Sequence, residues 1–200
     1  MPTTPPMIGR LKDRHVNAVA ALHAANLPGL LTSLGPLSVR AYYTGCARTR
    51  TATAFVAECD GQVRGFVIGA ARPAHMKRRV FHYNRLAIAA AFILALARRP
   101  SMTRRMLRTD PAPEEGTFDA TSPELFYIAV DAAARRTGIG RALLRAFAVG
   151  MRDNEARSYE LNVDAGNQDA IAFFEAEGFR LLGQHQELGT TYHRYWRSTT

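Results

Sequence analysis

Apolar and polar residues alternate along this chain with two periods, which predict an ordered series of helices and strands. Apolar residues recur at helical spacing over 13–26, and Pro28-Gly29 ends that pattern. Asp60-Gly61 separates two apolar runs, 52–58 and 63–71, which predicts a β-hairpin. By the same reading, further helices are expected at 36–46, 137–151 and 168–177, and further strands at 7–11, 124–130, 158–163, 179–188 and 191–197.

The segment 72–122 departs from this alternation. Residues 81–98 are apolar almost all round, which predicts a helix in the core or a lid. A short basic helix is expected at 101–108, and the prolines and glycine of 110–122 predict a loop. The longest apolar run, 86–97, is shorter than the ~20 residues that cross a bilayer. Contact with a membrane surface stays open as an alternative, because arginines flank the run.

Composition narrows the class of protein. A length of 200 residues, 47% of them hydrophobic, predicts one domain over 1–200 with a full core. The net charge of +9 favours anionic partners, and composition does not choose among nucleotide-linked substrates, coenzyme A phosphates, acidic lipid surfaces and nucleic acid. No basic motif with interleaved aromatic residues indicates specific nucleic-acid binding. The two cysteines, Cys46 and Cys59, argue against a disulfide framework and offer no metal-ligand spacing. With no signal-peptide pattern at the N-terminus, we expect a cytoplasmic protein.

Candidate chemistry concentrates in the strand, loop and helix of 124–142. The first amides of a helix lack intrahelical partners, and the helix dipole adds positive potential there, so an anion such as pyrophosphate fits. Gly138 and Gly140 permit close approach. A dinucleotide-binding loop would need a third glycine where Leu143 stands, and a Walker loop would need Gly-Lys-Ser/Thr. Three arginines add forked donors for phosphate oxygens: Arg135, Arg136 and Arg141.

Two motifs resemble one known family. Arg135-x-x-Gly138-x-Gly140, directly after an apolar strand, resembles the acyl-CoA loop of the GNAT N-acetyltransferases, Gln/Arg-x-x-Gly-x-Gly/Ala. Asn167-x-x-Ala170-x-x-Phe173-Phe174-x-x-x-Gly178-Phe179 is similar to the family's later motif, Asn-x-x-Ala-x-x-Phe-Tyr-x-x-x-Gly-Phe. The resemblance is strong over 124–179, consistent with the hairpin, and weak over 72–122, which is therefore expected to be a family-atypical insertion.

The resemblance implies an α/β (α+β) fold. Its sheet would be mixed and mostly antiparallel, with six to seven strands, a splay between two central parallel strands, and flanking helices. Acetyl-CoA would lie in the splay as co-substrate, with the backbone of Ile128 and Val130 binding its pantetheine arm, and no metal is implied. The residues that the resemblance places at the cofactor are Ile128, Ala129, Val130, Arg135, Arg136, Thr137, Gly138, Ile139, Gly140, Arg141, Ala142, Asn167, Phe173 and Phe174.

Catalysis requires a neutral amine, a base to remove its proton, and a donor for the thioester oxygen; for that donor the resemblance implies a backbone amide near Val130. Glu124 is the candidate base, and a solvated charge at a strand end is its alternative reading. The resemblance implies that a tyrosine in the later motif commonly protonates the CoA thiolate, and the residue at that position here is Phe174. Either another hydroxyl protonates the thiolate, the thiolate leaves unassisted, or activity is lost. The candidate hydroxyls are those of Tyr127, Tyr192 and Tyr195.

Several other side chains are expected near the acceptor. His75 and His82 lie in the segment expected to border it, and Asn162 and Asp164 end the strand of 158–163. Tyr42 and Tyr43 are expected to pack beneath the site. The function predicted is acetylation of a primary amine on a small molecule, such as an amino sugar. The alternatives are acetylation of a protein N-terminus or lysine, and an acyl-CoA sensor without turnover. The protein is expected to be a monomer or homodimer.

Overall fold

The computed structural model describes residues 5–82, 122–187 and 189–200. They include seven strands: β1 (Met7–Arg10), β2 (Thr53–Cys59), β3 (Gln62–Ala70), β4 (Glu124–Val130), β5 (Ser158–Asp164), β6 (Arg180–Glu187) and β7 (Thr190–Ser198). The helices are α1 (Val16–Asn26), α2 (Leu30–Ser33), α3 (Pro36–Arg48), α4 (from residue 73, described up to 82), α5 (Ile139–Asp153) and α6 (Gln168–Ala176). Two 3-10 turns are Asp13–His15 and Ala132–Ala134.

All seven strands form one mixed sheet in the order β1-β2-β3-β4-β5-β7-β6. Every neighbouring pair is antiparallel except the central pair β4 and β5, which run parallel. The predicted sheet, with seven strands and a parallel centre, is therefore confirmed.

The hairpin of β2 and β3 follows directly from its turn residues. Asp60 and Gly61 both adopt positive φ, at 50° and 73°. A two-residue turn with positive φ at both positions has a twist that matches the flanking strands, and Asp-Gly is among the pairs that tolerate it. The predicted hairpin is thus present.

The two faces of the sheet carry separate hydrophobic clusters. On one side, called the α5 face, Leu143 and Phe147 of α5 pack against Tyr159 and Leu161 of β5. On the other, called the α1 face, residues of α1 and α3 pack against β2 and β3, for example Val19 of α1. Side chains alternate along each strand, so both faces of the central strands are covered.

Two helices were not predicted, and part of the predicted set lies outside the described residues. Helix α2 has four residues, which is too short for a periodic pattern to be recognised. Helix α4 begins at residue 73, before the helix predicted at 81–98. Residues 83–121 lie outside the described part of the chain. They include most of the helix predicted at 81–98, all of the helix predicted at 101–108, and nearly all of the loop predicted at 110–122. Within the described residues, no helix has the length and apolar character to span a membrane. Cys46 and Cys59 are both buried free thiols.

Candidate active site

Strands β4 and β5 separate almost as soon as they meet. Their only register pair is Glu124 with Glu160, beside a bond from the Glu160 amide to the Pro123 carbonyl at 2.9 Å. On its other edge, strand β5 is paired along its whole length with β7. The edge of β4 beyond Glu124 therefore faces a gap, which is the splay that the family resemblance implied.

The backbone of β4 turns alternate amides into this gap. The Asp131 amide donates to the Arg64 carbonyl beside β3 at 2.8 Å. Because successive amides of a strand point to opposite edges, those of Val130 and Ile128 point away from β3 and into the splay. These are the two residues whose backbone is expected to bind the pantetheine arm.

A bulge in β4 changes the direction of the preceding side chains. Ile68 pairs with Tyr127 and Gly69 pairs with Leu125, so Phe126 is an extra residue in β4. A Cβ on Gly69 would lie 2.1 Å from the Glu124 carbonyl oxygen, so only glycine permits this approach of the two strands. One consequence is that Phe126 and Tyr127, although adjacent, both pack on the α1 face.

The loop after β4 has the geometry of an anion cradle. No protein acceptor among the described residues bonds the backbone N–H groups of 136–141. Arg136 has φ 62° and Gly138, the N-cap of α5, has φ 87°. Left-handed residues within such a loop turn successive amides toward one point, and the α5 dipole adds positive potential. The amides expected to hold the pyrophosphate are thus free to do so.

The three arginines of the loop differ in their partners. Arg135 donates to the side-chain oxygen of Asn26 at the end of α1 (2.6 Å) and more weakly to the Val130 carbonyl (3.4 Å). Arg141 is ion-paired with Glu177 at 2.6 Å. Arg136 is exposed and has no ion-pair partner among the described residues. Two of the three guanidinium groups expected to face phosphate therefore bind protein oxygens, which leaves Arg136 as the available one.

Asp131 anchors the start of the loop. Its carboxylate accepts from Arg64 at 2.7 Å and from the Ala133 amide at 3.1 Å, which caps the 3-10 turn. The hydrogen bond from Arg64 is the main cause that lowers the pKa of Asp131. Thr137 closes the turn from the other end through a 2.7 Å bond to the Ala134 carbonyl.

The second motif supports this loop from α6. Asn167 is the N-cap of α6 and accepts from the Ala170 amide at 3.1 Å, so its side-chain oxygen already has a protein donor. A Cβ on Gly140 would lie 3.1 Å from the ring of Phe173, so α5 and α6 meet there closely. Phe174 is buried on the α5 face against Phe173, and its own side chain has no hydroxyl to offer.

Glu124 lies at the point where the splay opens. Its carboxylate accepts from the Asn162 side chain of β5 at 3.2 Å. Burial raises the pKa of Glu124, while the nearby Lys77 of α4 and the hydrogen bond from Asn162 oppose that rise. The ammonium of Lys77 lies over the ring of Phe126, 5.3 Å from its centroid. Glu124 is therefore a partly buried carboxylate whose proton affinity is increased.

Tyr127 lies within electrostatic range of both Glu124 and Tyr192. Burial is the main cause that raises the pKa of Tyr127 to about 12, and the charges of Glu124 and Glu187 add to it. Tyr192 also contributes to that rise, so the phenols lie within electrostatic range of each other. Tyr192 is paired with Asp164 across β5 and β7 and stacks on His185, with ring centroids 5.7 Å apart.

Other predicted residues take different places. Tyr195 is on the α5 face, and its hydroxyl donates to Glu175 at 2.8 Å, so the structure does not bring it to Glu124. His75 is partly buried and His82 exposed, both on α4. Lys77 was missed by sequence reasoning, because its segment was not predicted to be a helix.

The buried aromatic residues beneath Tyr127 were only partly anticipated. Tyr42 and Tyr43 pack there as predicted. His23 joins them: its ring centroid lies 4.8 Å from that of Tyr127. His23 lies on the buried face of α1 with Val16, Val19 and Ala20, but helical spacing alone does not indicate that it packs against β4.

Solved structures share this fold. The chain is similar to an N-acetyltransferase from Staphylococcus aureus Mu50, with a TM-score of 0.63, 18% identity, and coverage of 98% of this chain and 100% of that one. It is similar to the ribosomal-protein-S18-alanine N-acetyltransferase from Escherichia coli, with a TM-score of 0.57, 17% identity, and coverage of 98% and 95%. A third similar structure is that of SsHAT, with a TM-score of 0.69, 21% identity, and coverage of 98% and 100%.

These identities establish the fold alone, and no curated protein matches the chain significantly by sequence. The family is shown by a separate comparison. The model of the acetyltransferase (GNAT) family matches residues 19–179, which include the splay, the cradle and α6. The chain therefore belongs to the GNAT family of acetyltransferases, acyltransferases that take their acetyl group from acetyl-CoA.

Proposed function

We propose that this enzyme transfers the acetyl group of acetyl-CoA to a primary amine of a small molecule, such as an amino sugar. The observation that carries the proposal is the position of Glu124, a partly buried carboxylate at the opening of the splay. The ammonium of Lys77 lies over the ring of Phe126 and within electrostatic range of this carboxylate.

In the proposed reaction, Glu124 accepts a proton from the bound ammonium group. The neutral amine then attacks the thioester carbonyl, forming a C–N bond. A β4 amide that points into the splay, at or near Val130, donates to the developing oxyanion. The nitrogen of the tetrahedral intermediate loses its second proton to solvent, and the intermediate collapses as the C–S bond breaks. Glu124 afterwards returns its proton to solvent.

The thiolate needs a proton that Phe174 cannot supply. We assign this step to Tyr127, with Tyr192 as the second candidate. A phenol with a pKa of about 12 keeps its proton at neutral pH, so Tyr127 is available as a donor. Departure of the thiolate without a donor is the alternative, because thiols titrate near ~8.5.

The proposed cofactor site consists of the free amides of 136–141 together with Arg136, with Ile128 and Val130 for the pantetheine arm. Gly138→Trp tests it. A Cβ at Gly138 meets nothing within 4 Å, so the fold has room for a side chain that would cover the amides. Gly61→Trp is the matched control, since Gly61 also has positive φ and open space but lies in the hairpin turn.

We expect Gly138→Trp to abolish acetyl-CoA binding in calorimetric titration, while Gly61→Trp binds as the unmodified protein does. Both variants carry the strain of a left-handed non-glycine residue, of about 1–2 kcal/mol. Equal loss of affinity in both would point to general destabilisation, and unchanged affinity in Gly138→Trp would remove the cradle assignment.

A second acceptor, a protein N-terminus, is favoured by one specific finding. Two of the similar structures are ribosomal-protein alanine N-acetyltransferases, one from Escherichia coli and one from Brucella melitensis. Release of free CoA should be measured with small amines and with peptides bearing N-terminal alanine. Faster release with the peptides would replace the small-molecule proposal. Tight acetyl-CoA binding with no release from any amine would leave a sensor.

A further inference from the structure

A buried histidine, His23, packs against Tyr127, the tyrosine assigned as proton donor. His23 of α1 is 1% exposed. Its ring meets that of Tyr127 edge to face, with centroids 4.8 Å apart and planes at 83°. Burying a polar ring in an apolar cluster is unfavourable unless it is hydrogen-bonded. His23 has such a bond, since its Nδ1 lies 2.7 Å from the hydroxyl of Tyr43.

Tyr127 is held from two sides by different helices. His23 supplies one wall from α1, and Tyr42 of α3 supplies the other, with ring centroids 6.0 Å apart and planes at 86°. Tyr43, which fixes the His23 ring, is itself packed against Phe66 of β3, with centroids 5.4 Å apart. The phenol oxygen lies on the long axis of the Tyr127 ring. Contacts that fix this ring therefore also fix the direction in which the hydroxyl group points.

His23 does not act as a base in this position. Burial lowers its pKa to about 4, so the imidazole is neutral at physiological pH. One ring nitrogen is committed to Tyr43. What remains is an oriented, uncharged ring whose contact with Tyr127 is steric and electrostatic.

The same helix also reaches the cofactor loop. Asn26, one turn after His23 on α1, accepts from Arg135 at 2.6 Å. Residues three apart lie on neighbouring positions of a helix surface. Helix α1 is therefore fastened at its C-terminal end to the loop beside the anion cradle, and one turn earlier it contacts Tyr127.

We propose that His23 is a positioning residue that holds the phenol of Tyr127 in the direction required for proton donation. The inference rests on the proposed function, in which Tyr127 protonates the thiolate. A displacement of about 1 Å in a catalytic group can lower turnover ~100-fold, so a ring that fixes this direction matters without touching substrate.

The test is a double-mutant cycle on kcat. His23→Asn retains a polar group near the Nδ1 position but removes the ring that faces Tyr127. We expect it to lower kcat by roughly 10- to 100-fold with unchanged acetyl-CoA affinity. In a Tyr127→Phe background the same substitution should have no further effect, because no hydroxyl remains to be directed. An equal loss of kcat in both backgrounds would overturn the proposal.

Two further variants separate positioning from loss of folding. His15→Asn is the matched control, since His15 is 3% exposed and hydrogen-bonds at the start of the same helical segment, near Glu58 and away from Tyr127. It should lower the melting temperature and leave kcat intact. Should His23→Asn not fold, Tyr43→Phe removes the bond that orients His23, and its loss of kcat should also vanish in the Tyr127→Phe background.

A spectroscopic measurement keeps this inference distinct from the assignment of the acid. With tyrosine labelled at 13Cζ, the Tyr127 resonance is the one missing from Tyr127→Phe. We expect His23→Asn to shift or broaden it. An unchanged resonance would overturn positioning by His23. A shifted resonance together with full turnover in Tyr127→Phe would uphold positioning and refute Tyr127 as the acid.

Discussion

Replacing Glu124 by glutamine tests the proposed base most directly. The substitution keeps the side chain's size and leaves an amide oxygen that can accept from Asn162, now at 3.2 Å from the carboxylate. It removes the ability to take a proton from the bound ammonium group. The variant must instead bind the small fraction of acceptor molecules whose amine is already neutral in solution.

The size of the defect follows from the acceptor's pKa. For a lysine-like amine titrating near ~10.4, roughly one molecule in 10³ is neutral at about pH 7.4, equivalent to ~4 kcal/mol at 1.36 kcal/mol per pH unit. The ratio of wild-type to variant kcat/KM should therefore approach ~10³ there and shrink about tenfold for each unit that the pH rises. For a peptide α-amine, near ~7.7–8.0, the ratio should be only a few-fold.

The assay is the initial rate of CoA release at sub-saturating acceptor, measured from about pH 6.5 to 9.5. Glu155→Gln is the control, because it makes the same chemical change at a side chain that is 85% exposed and is ion-paired with Arg72. A ratio that stays constant across this pH range, for an acceptor of lysine-like pKa, would refute Glu124 as the base.

The same variant also has a predicted effect on stability. The raised pKa of Glu124 means that the folded state binds more protons than the unfolded chain between the ordinary glutamate value of 4.5 and the folded pKa. Wild-type stability therefore falls as pH rises through that window. Glu124→Gln has no such group, so its melting temperature should gain on that of wild type as the pH rises above 4.5. A difference in melting temperature that does not change with pH would contradict the burial effect.

Two further predictions concern the strand bulge and the loop. Gly69→Ala would place a Cβ 2.1 Å from the Glu124 carbonyl oxygen, so we expect a loss of about 3 kcal/mol or more in denaturant unfolding, and wild-type stability would refute the close approach. Arg136→Ala should weaken CoA binding in titration calorimetry more than Arg141→Ala, because Arg141 is paired with Glu177 whereas Arg136 has no ion-pair partner among the described residues. The reverse order would place Arg141 at the phosphates.

Local sequence predicted the elements whose cause is local. Asp60-Gly61 specifies its hairpin because two adjacent residues must both adopt positive φ. Gly138 and Gly140 marked the start of α5 and its free amides for the same kind of reason. The helix begins at Ile139 rather than the predicted Thr137, because left-handed Gly138 serves as its N-cap. The left-handed conformation of Arg136 was not predicted, since a non-glycine residue there depends on the surrounding loop.

The arrangement of the candidate site depended on contacts between distant parts of the chain. Glu124 was a candidate base from its place at a strand start, but its partner Asn162 lies 38 positions away on β5. Arg135 was expected to face phosphate, yet it binds Asn26, 109 positions earlier. Which partner a long side chain selects depends on the oxygens that the packed helices bring within reach, and residue type does not encode that.

The sequence by itself determined the family, the order of the seven strands and of helices α1, α3, α5 and α6, and the glycine-containing loop that leaves amides free for an anion. These rest on turn geometry, periodicity and motif spacing, which neighbouring residues carry. The tertiary structure alone decided that β4 bulges at Phe126 and that Tyr127 consequently turns to the α1 face, against His23. That outcome depends on β3 passing so close to β4 at Gly69 that a side chain has no space. The register partner of Gly69 is Leu125, 56 residues later in the chain.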